Sequence, residues 1–83
     1  MDGGEERRLN RAAQRGSAPA AEELTRRHAH SAWRSAFALT RSRDLADEVS
    51  QAAMARAFRS LGGFDARRPF APLAAPHRAQ LRA

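Results

Sequence analysis

Large apolar side chains are scarce in this chain, and that scarcity limits what it can fold into. Of 83 residues, 35 are hydrophobic by type, but 20 of these are alanine. The large members are seven Leu, four Phe, two Met, one Trp and one Val. A set this thin supports one domain at most, and a marginal one, because a short chain buries only a modest share of its surface. The expectation is a protein whose stability leans on a partner.

Charge narrows the class of partner. The formal net charge is +6, and all 15 basic residues are arginine. That balance suits a polyanion or an acidic protein surface. Cysteine is absent, which excludes a disulfide scaffold and thiolate metal sites. No apolar run approaches the ~20 residues that a membrane span requires. The N-terminus carries charges but no apolar stretch of the secretory kind, so a cytoplasmic location is the default expectation.

Apolar periodicity predicts two long helices. Residues 1–18 (MDGGEERRLNRAAQRGSA) are mostly charged, small or Gly, and read as a disordered tail. An Arg-rich helix over Glu5–Arg15 is the alternative there, marginal by itself. The first long helix is expected from about Pro19 to Thr40. Pro19 is tolerated in the first turn, and Glu22 and Glu23 suit the positive helix end. Steps of 100° place Leu24, Ala32, Ala36, Trp33 and Phe37 on one broad side. Asp44 reads as the N-cap of a second helix running from about Leu45 to Leu61, stopped by Gly62-Gly63. Leu45, Val49, Ala53, Ala57 and Leu61 form an i, i+4 stripe suited to the first helix, with Met54 and Phe58 to one side. The short connection makes the pair an antiparallel hairpin.

After Gly63 comes a loop with two aromatic anchors, Phe64 and Phe70. Pro72 is able to open a third helix, but Pro76 follows four residues later and costs a helix interior ~3 kcal/mol. The expected fold is therefore all-α: a helical hairpin, a short proline-interrupted third helix, and a disordered tail. The domain spans residues 19–83 and the tail residues 1–18.

The order of several short motifs resembles a known family. These are Glu22-Glu23-Leu24, Arg26-Arg27-His28, Asp44-Leu45-Ala46-Asp47-Glu48-Val49-Ser50-Gln51, Arg56-Ala57-Phe58-Arg59-Ser60-Leu61, Phe64-Asp65, and Arg67-Arg68-Pro69-Phe70-Ala71-Pro72. Together they resemble region 2 of the sigma-70 family, best its extracytoplasmic-function group, over about residues 20–73. The resemblance implies a helical bundle whose second helix docks on the clamp helices of the largest subunit of core RNA polymerase. It implies docking through Asp44, Asp47, Glu48 and Gln51, with Met54 and Phe58 as apolar anchors. Ala52 stands where the family usually has Glu. It further implies contact with promoter −10 DNA, for which Arg67, Arg68, His77, Arg78 and Arg82 are the candidate residues. The family continues its Pro-Phe-x-Pro with Trp and a long helix; here Leu73 and Pro76 follow. The base-reading helix is therefore expected to be truncated, and nothing resembles region 4.

A helix carrying carboxylates, an amide and apolar anchors suits an Arg-bearing partner helix without any family label. By themselves, Asp44, Asp47 and Glu48 equally suit the helix dipole. No cofactor and no metal is expected: His28 and His30, two apart, point ~200° away from each other on a helix. No Ser-His-Asp arrangement or phosphate loop is visible, so no enzyme is expected. Two other readings are open: a regulatory or decoy binder of polymerase or of an anti-sigma factor, and a nonspecific basic nucleic-acid binder.

Overall fold

The computed structural model describes residues 3–76, and every regular element among them is helical. Three α-helices run in order: α1 over Gly3–Gln14, α2 over Ala18–Thr40 and α3 over Arg43–Arg59. Two short 3-10 turns follow, at Leu61–Gly63 and Ala71–Ala74. The helical hairpin expected from the sequence is α2 and α3.

Local chemistry sets the boundaries. Ser17 caps α2, its Oγ accepting from the Ala20 N–H at 3.2 Å, and Pro19 sits in the first turn where its missing N–H costs nothing. At the other end Arg41 adopts the left-handed conformation, φ 55, and its N–H returns to Phe37 O at 2.8 Å. The N-cap of α3 is Ser42, not Asp44: the Ser42 Oγ accepts from the Leu45 N–H at 3.3 Å, and Asp44 lies inside the first turn. Gly62 and Gly63 do not supply a left-handed stop either. Helix α3 instead tightens through Ser60 into the 3-10 turn that contains them.

The segment expected to be a tail is instead helix α1 over residues 3–14. Gly16 ends it in the left-handed region at φ 94, with Ser17 N–H bonded to Ala12 O and Gly16 N–H to Ala13 O, each at 3.0 Å. That bond pair is a Schellman motif. Alone, a helix of this length is marginal in water. Here it is held by tertiary bonds from one polar stripe. Glu6, Asn10 and Gln14, spaced i, i+4, i+8, all face the segment between Leu61 and Phe70. Asn10 Nδ2 donates to Ala66 O at 3.1 Å and Arg68 O at 3.3 Å. Gln14 Nε2 donates to Leu61 O at 2.9 Å and Phe64 O at 2.6 Å. A loop carries backbone carbonyls with no ladder partner, and this stripe satisfies four of them.

The main apolar cluster joins all three helices and the C-terminal segment. Leu24 and Phe70 are fully buried at its centre, among Met54, Ala57, Leu61 and Ala74. Burying a side chain of the size of Phe70 or Leu24 contributes ~1.5–3 kcal/mol. A smaller cluster of Ala36, Ala46 and Val49 lies toward the hairpin turn, flanked by Trp33 and Phe37. The abundant alanine thus has a use: buried Ala32, Ala36, Ala46, Ala53 and Ala57 line the contact between α2 and α3 where larger side chains would keep the helices apart. The buried face of α3 is broader than the expected stripe: Val49, Ala53, Ala57 and Leu61 are buried as expected, Ala46, Ser50 and Met54 join them, and Leu45 alone of the stripe is exposed, at 48%. Of the expected proline-interrupted third helix, the described residues hold the 3-10 turn Ala71–Ala74, fixed by Arg56, whose Nη2 donates to Ala75 O at 3.0 Å; the part after Pro76 lies outside them.

Candidate docking face and nucleic-acid contacts

Helix α3 presents an acidic outer face. Asp44, Asp47, Glu48 and Gln51 are all exposed. At 100° per residue Asp44, Glu48 and Gln51 fall within an arc of about 60°, with the exposed Ala55 between them. Ala52 and Leu45 border this arc on one side, and Phe58 and Asp47 on the other. Small side chains at 52 and 55 leave room for another helix to come close, and Leu45 offers apolar area at the edge.

Among the described residues, Asp47 is the member of the acidic group with a side-chain tie to another helix. Its Oδ1 accepts from Trp33 Nε1 at 2.7 Å, linking α3 to α2. Trp33 stacks on Phe37 at 5.3 Å, and the Arg41 guanidinium lies over Phe37 at 5.4 Å. An aromatic and cationic ladder on α2 therefore runs beside the acidic face.

The two expected anchors are drawn into the protein's own core to different degrees. Met54 is 8% exposed and belongs to the main core cluster. Phe58 is half-buried, packed on that cluster, with its ring 5.4 Å from the Phe70 ring. In a two-helix hairpin both side chains would face outward. Helix α1 and the segment carrying Phe70 give them neighbours within the chain. Leu45, expected in the hairpin seam, is instead exposed, a large apolar residue in water among the described residues.

The candidate DNA-contacting residues divide. Arg67 and Arg68 are exposed on the loop after α3. Arg67 forks onto Asp65, Nε to Oδ1 and Nη2 to Oδ2, both at 3.1 Å, and the Arg67 N–H also reaches Oδ1 at 3.0 Å. These hydrogen bonds, side chain first and backbone second, hold the Asp65 carboxyl down at about 2. Arg67 thus brings its own counter-charge, while Arg68 makes no salt bridge among the described residues. Beside them Phe64, Arg68, Pro69, Pro72 and Leu73 line an open depression of about 820 Å³. His77, Arg78 and Arg82 lie outside the described residues.

The residues that sequence reasoning missed are those of α1. Glu6 is buried, one carboxylate oxygen 2.7 Å from His28 Nε2 and the other accepting the Phe70 N–H at 3.0 Å. Burial pushes this carboxyl up. The hydrogen bonds from Phe70 and His28, aided by the charges of His28 and Arg27, outweigh it and leave Glu6 below its ordinary value. Glu5, on the flank of α1, pairs with Arg27, which also meets Glu23 at 2.8 Å. Among the described residues no three His, Asp or Glu side chains converge as a metal ion would need. No helix among them is long and apolar enough to cross a membrane.

Compared with known proteins, the chain matches no family model, no curated protein and no solved structure.

Proposed function

We propose that this chain acts as a region 2 segment of an RNA polymerase sigma factor, docking through α3 on the clamp helices of the largest polymerase subunit. The observation that carries the reading is the outward face of α3, where Asp44, Glu48 and Gln51 stand together and exposed. Carboxylates in that position orient and speed association with an arginine-bearing helix, and apolar contacts at the edge add affinity. Leu45, not Met54, is the apolar anchor in this reading, because Met54 is committed to the protein's own core. Docking of α3 brings Arg67 and Arg68 toward promoter −10 DNA as phosphate contacts. The role is non-enzymatic.

The test is capture of core RNA polymerase by the purified full chain. The intact chain is expected to retain polymerase, and Asp47→Arg combined with Gln51→Ala to reduce capture at least ten-fold with unchanged helicity. No capture by the intact chain, or equal capture by the variant, refutes the docking. A run-off transcription assay then separates an initiating segment from one that only occupies the clamp.

A further inference from the structure

The outer face of α1 has no part in the docking reading, and its chemistry is distinct. Arg7, Arg8, Arg11 and Arg15 are all exposed. At 100° per residue they fall within an arc of about 100°. Arg7, Arg11 and Arg15 follow one another about 6 Å apart along the axis. None makes a salt bridge among the described residues. The two carboxylates of this helix are engaged elsewhere: Glu5 on Arg27, and Glu6 inside, on His28 and the Phe70 N–H.

The orientation of this face is fixed. Leu9 and Ala13, on the opposite side of α1, pack on the core, and Glu6, Asn10 and Gln14 on its flank bond to the Leu61–Phe70 segment, so the arginines face outward. Arg7 also lines the same small cleft as Arg67 and Arg68, with the fully engaged Glu6 at its floor. The row on α1 is thereby continuous with the arginines of the loop.

We infer that the arginine row of α1, extended by Arg68, is a binding surface for the phosphate backbone of duplex nucleic acid. A polyanion with regularly spaced charges matches a rigid row of regularly spaced guanidinium groups. An anionic membrane fits less well. Surface helices that bind membranes present apolar side chains beside their basic ones, whereas Leu9 and Ala13 of α1 are turned into the core. The surface is expected to bind without regard to sequence, because phosphates recur along every duplex and contacts to them carry no sequence information. It stands independently of polymerase docking.

The test uses the full chain without polymerase and a labelled duplex of arbitrary sequence, with binding followed by anisotropy across a salt series. Each phosphate contact contributes about −0.9 to the slope of log affinity against log salt. Arg7→Gln/Arg11→Gln/Arg15→Gln is expected to reduce the slope magnitude by about 2–3 and to weaken binding at least ten-fold at low salt. Lysine at the same three positions restores most of the binding, since it meets phosphate as a point charge and releases the same counterions. A control with equal charge loss, Arg34→Gln/Arg43→Gln/Arg59→Gln, changes the slope by less than half as much. Circular dichroism verifies that helicity is retained, and the lysine variant serves as the fold-neutral comparison. Equal losses in the row and control variants, or an unchanged slope in the row variant, overturn the inference. Binding of phosphatidylserine vesicles as tight as duplex binding also overturns it.

Discussion

Glu6 and His28 meet inside the protein, Oε1 to Nε2 at 2.7 Å, from helices whose partners lie 22 residues apart in sequence. The second oxygen of Glu6 takes the Phe70 N–H, so one carboxylate joins α1, α2 and the C-terminal segment. Removing it leaves an imidazole and a backbone N–H buried without an acceptor. Each such orphan costs ~1–3 kcal/mol. Glu6→Ala is therefore expected to lower the stability by about 2–4 kcal/mol, read as a reduced urea midpoint at constant slope.

The same carboxylate sets an acid limit on the fold. Its pKa is depressed in the folded state, so the unfolded chain binds the proton more readily. Stability from this group is fully present above the ordinary carboxylate range and is lost as pH falls through the folded-state value. A titration of urea midpoints should decline on acidification, and Glu6→Gln should flatten that decline. An identical acid profile for both proteins would assign the acid sensitivity to other groups.

Asn10 gives a sharper test of how α1 is held. Its Nδ2 serves two carbonyls, Ala66 O and Arg68 O, while its Oδ1 is buried with no partner. Asn10→Asp keeps the shape but turns an oxygen toward both carbonyls and brings a charge into a covered site. A cost of about 3 kcal/mol is expected, larger than the ~1–2 kcal/mol of Asn10→Ala. Amide hydrogen exchange should show faster exchange across residues 61–70 in either variant, ahead of α2 and α3. Uniform acceleration over the whole chain would mean that α1 and the loop do not open as a unit.

Helices α2 and α3 were legible because their apolar residues recur with the helical period and their ends carry recognisable caps. Helix α1 is legible only as the marginal alternative over Glu5–Arg15, because its inward side carries Glu6, Asn10 and Gln14 beside Leu9 and Ala13, too little apolar surface to mark a stripe. A signal was nevertheless present. Gly16-Ser17 followed by Pro19 is a helix stop next to a helix start, and such a pair has little use inside a disordered tail. The burial of Met54 follows from the same helix. The stripe through Val49, Ala53, Ala57 and Leu61 is the seam as the periodicity indicates, and α1 with Phe70 covers a second side of α3, which widens the buried face to Ala46, Ser50 and Met54. The acidic face is untouched by that widening at Asp44, Glu48 and Gln51, whose exposure follows from their charge and polarity. Lone loop arginines such as Arg67 could not be resolved from sequence, since its pairing with Asp65 depends on a turn.

Core and docking roles separate at Met54 and Glu48. Met54→Ala removes packing from the main cluster and is expected to cost about 2–3 kcal/mol. Glu48→Arg changes an exposed side chain, with a stability effect within about 0.5 kcal/mol, yet it reverses the charge offered to a basic partner helix. Capture of core polymerase should fall for Glu48→Arg at full folding. Met54→Ala should lose capture only in proportion to the folded fraction. A docking loss for Met54→Ala at temperatures where it is fully folded would place the methionine at the interface after all.

Leu45 and Leu24 are the same residue type in opposite surroundings, 48% and 0% exposed. Leu24→Ala should cost about 3 kcal/mol, since it empties space beneath Phe70 that helices cannot easily close. Leu45→Ala removes apolar area already in water, and thermal unfolding should be almost unchanged. A half-exposed leucine beside an acidic helix face contributes less to the fold than a buried one, so most of its effect should appear in binding. Leu45→Ala is expected to weaken polymerase capture several-fold while leaving duplex binding by the α1 row intact. Loss of both activities together would show that Leu45 supports the fold in solution, and equal capture by Leu45→Ala and the intact chain would remove it from the docking face.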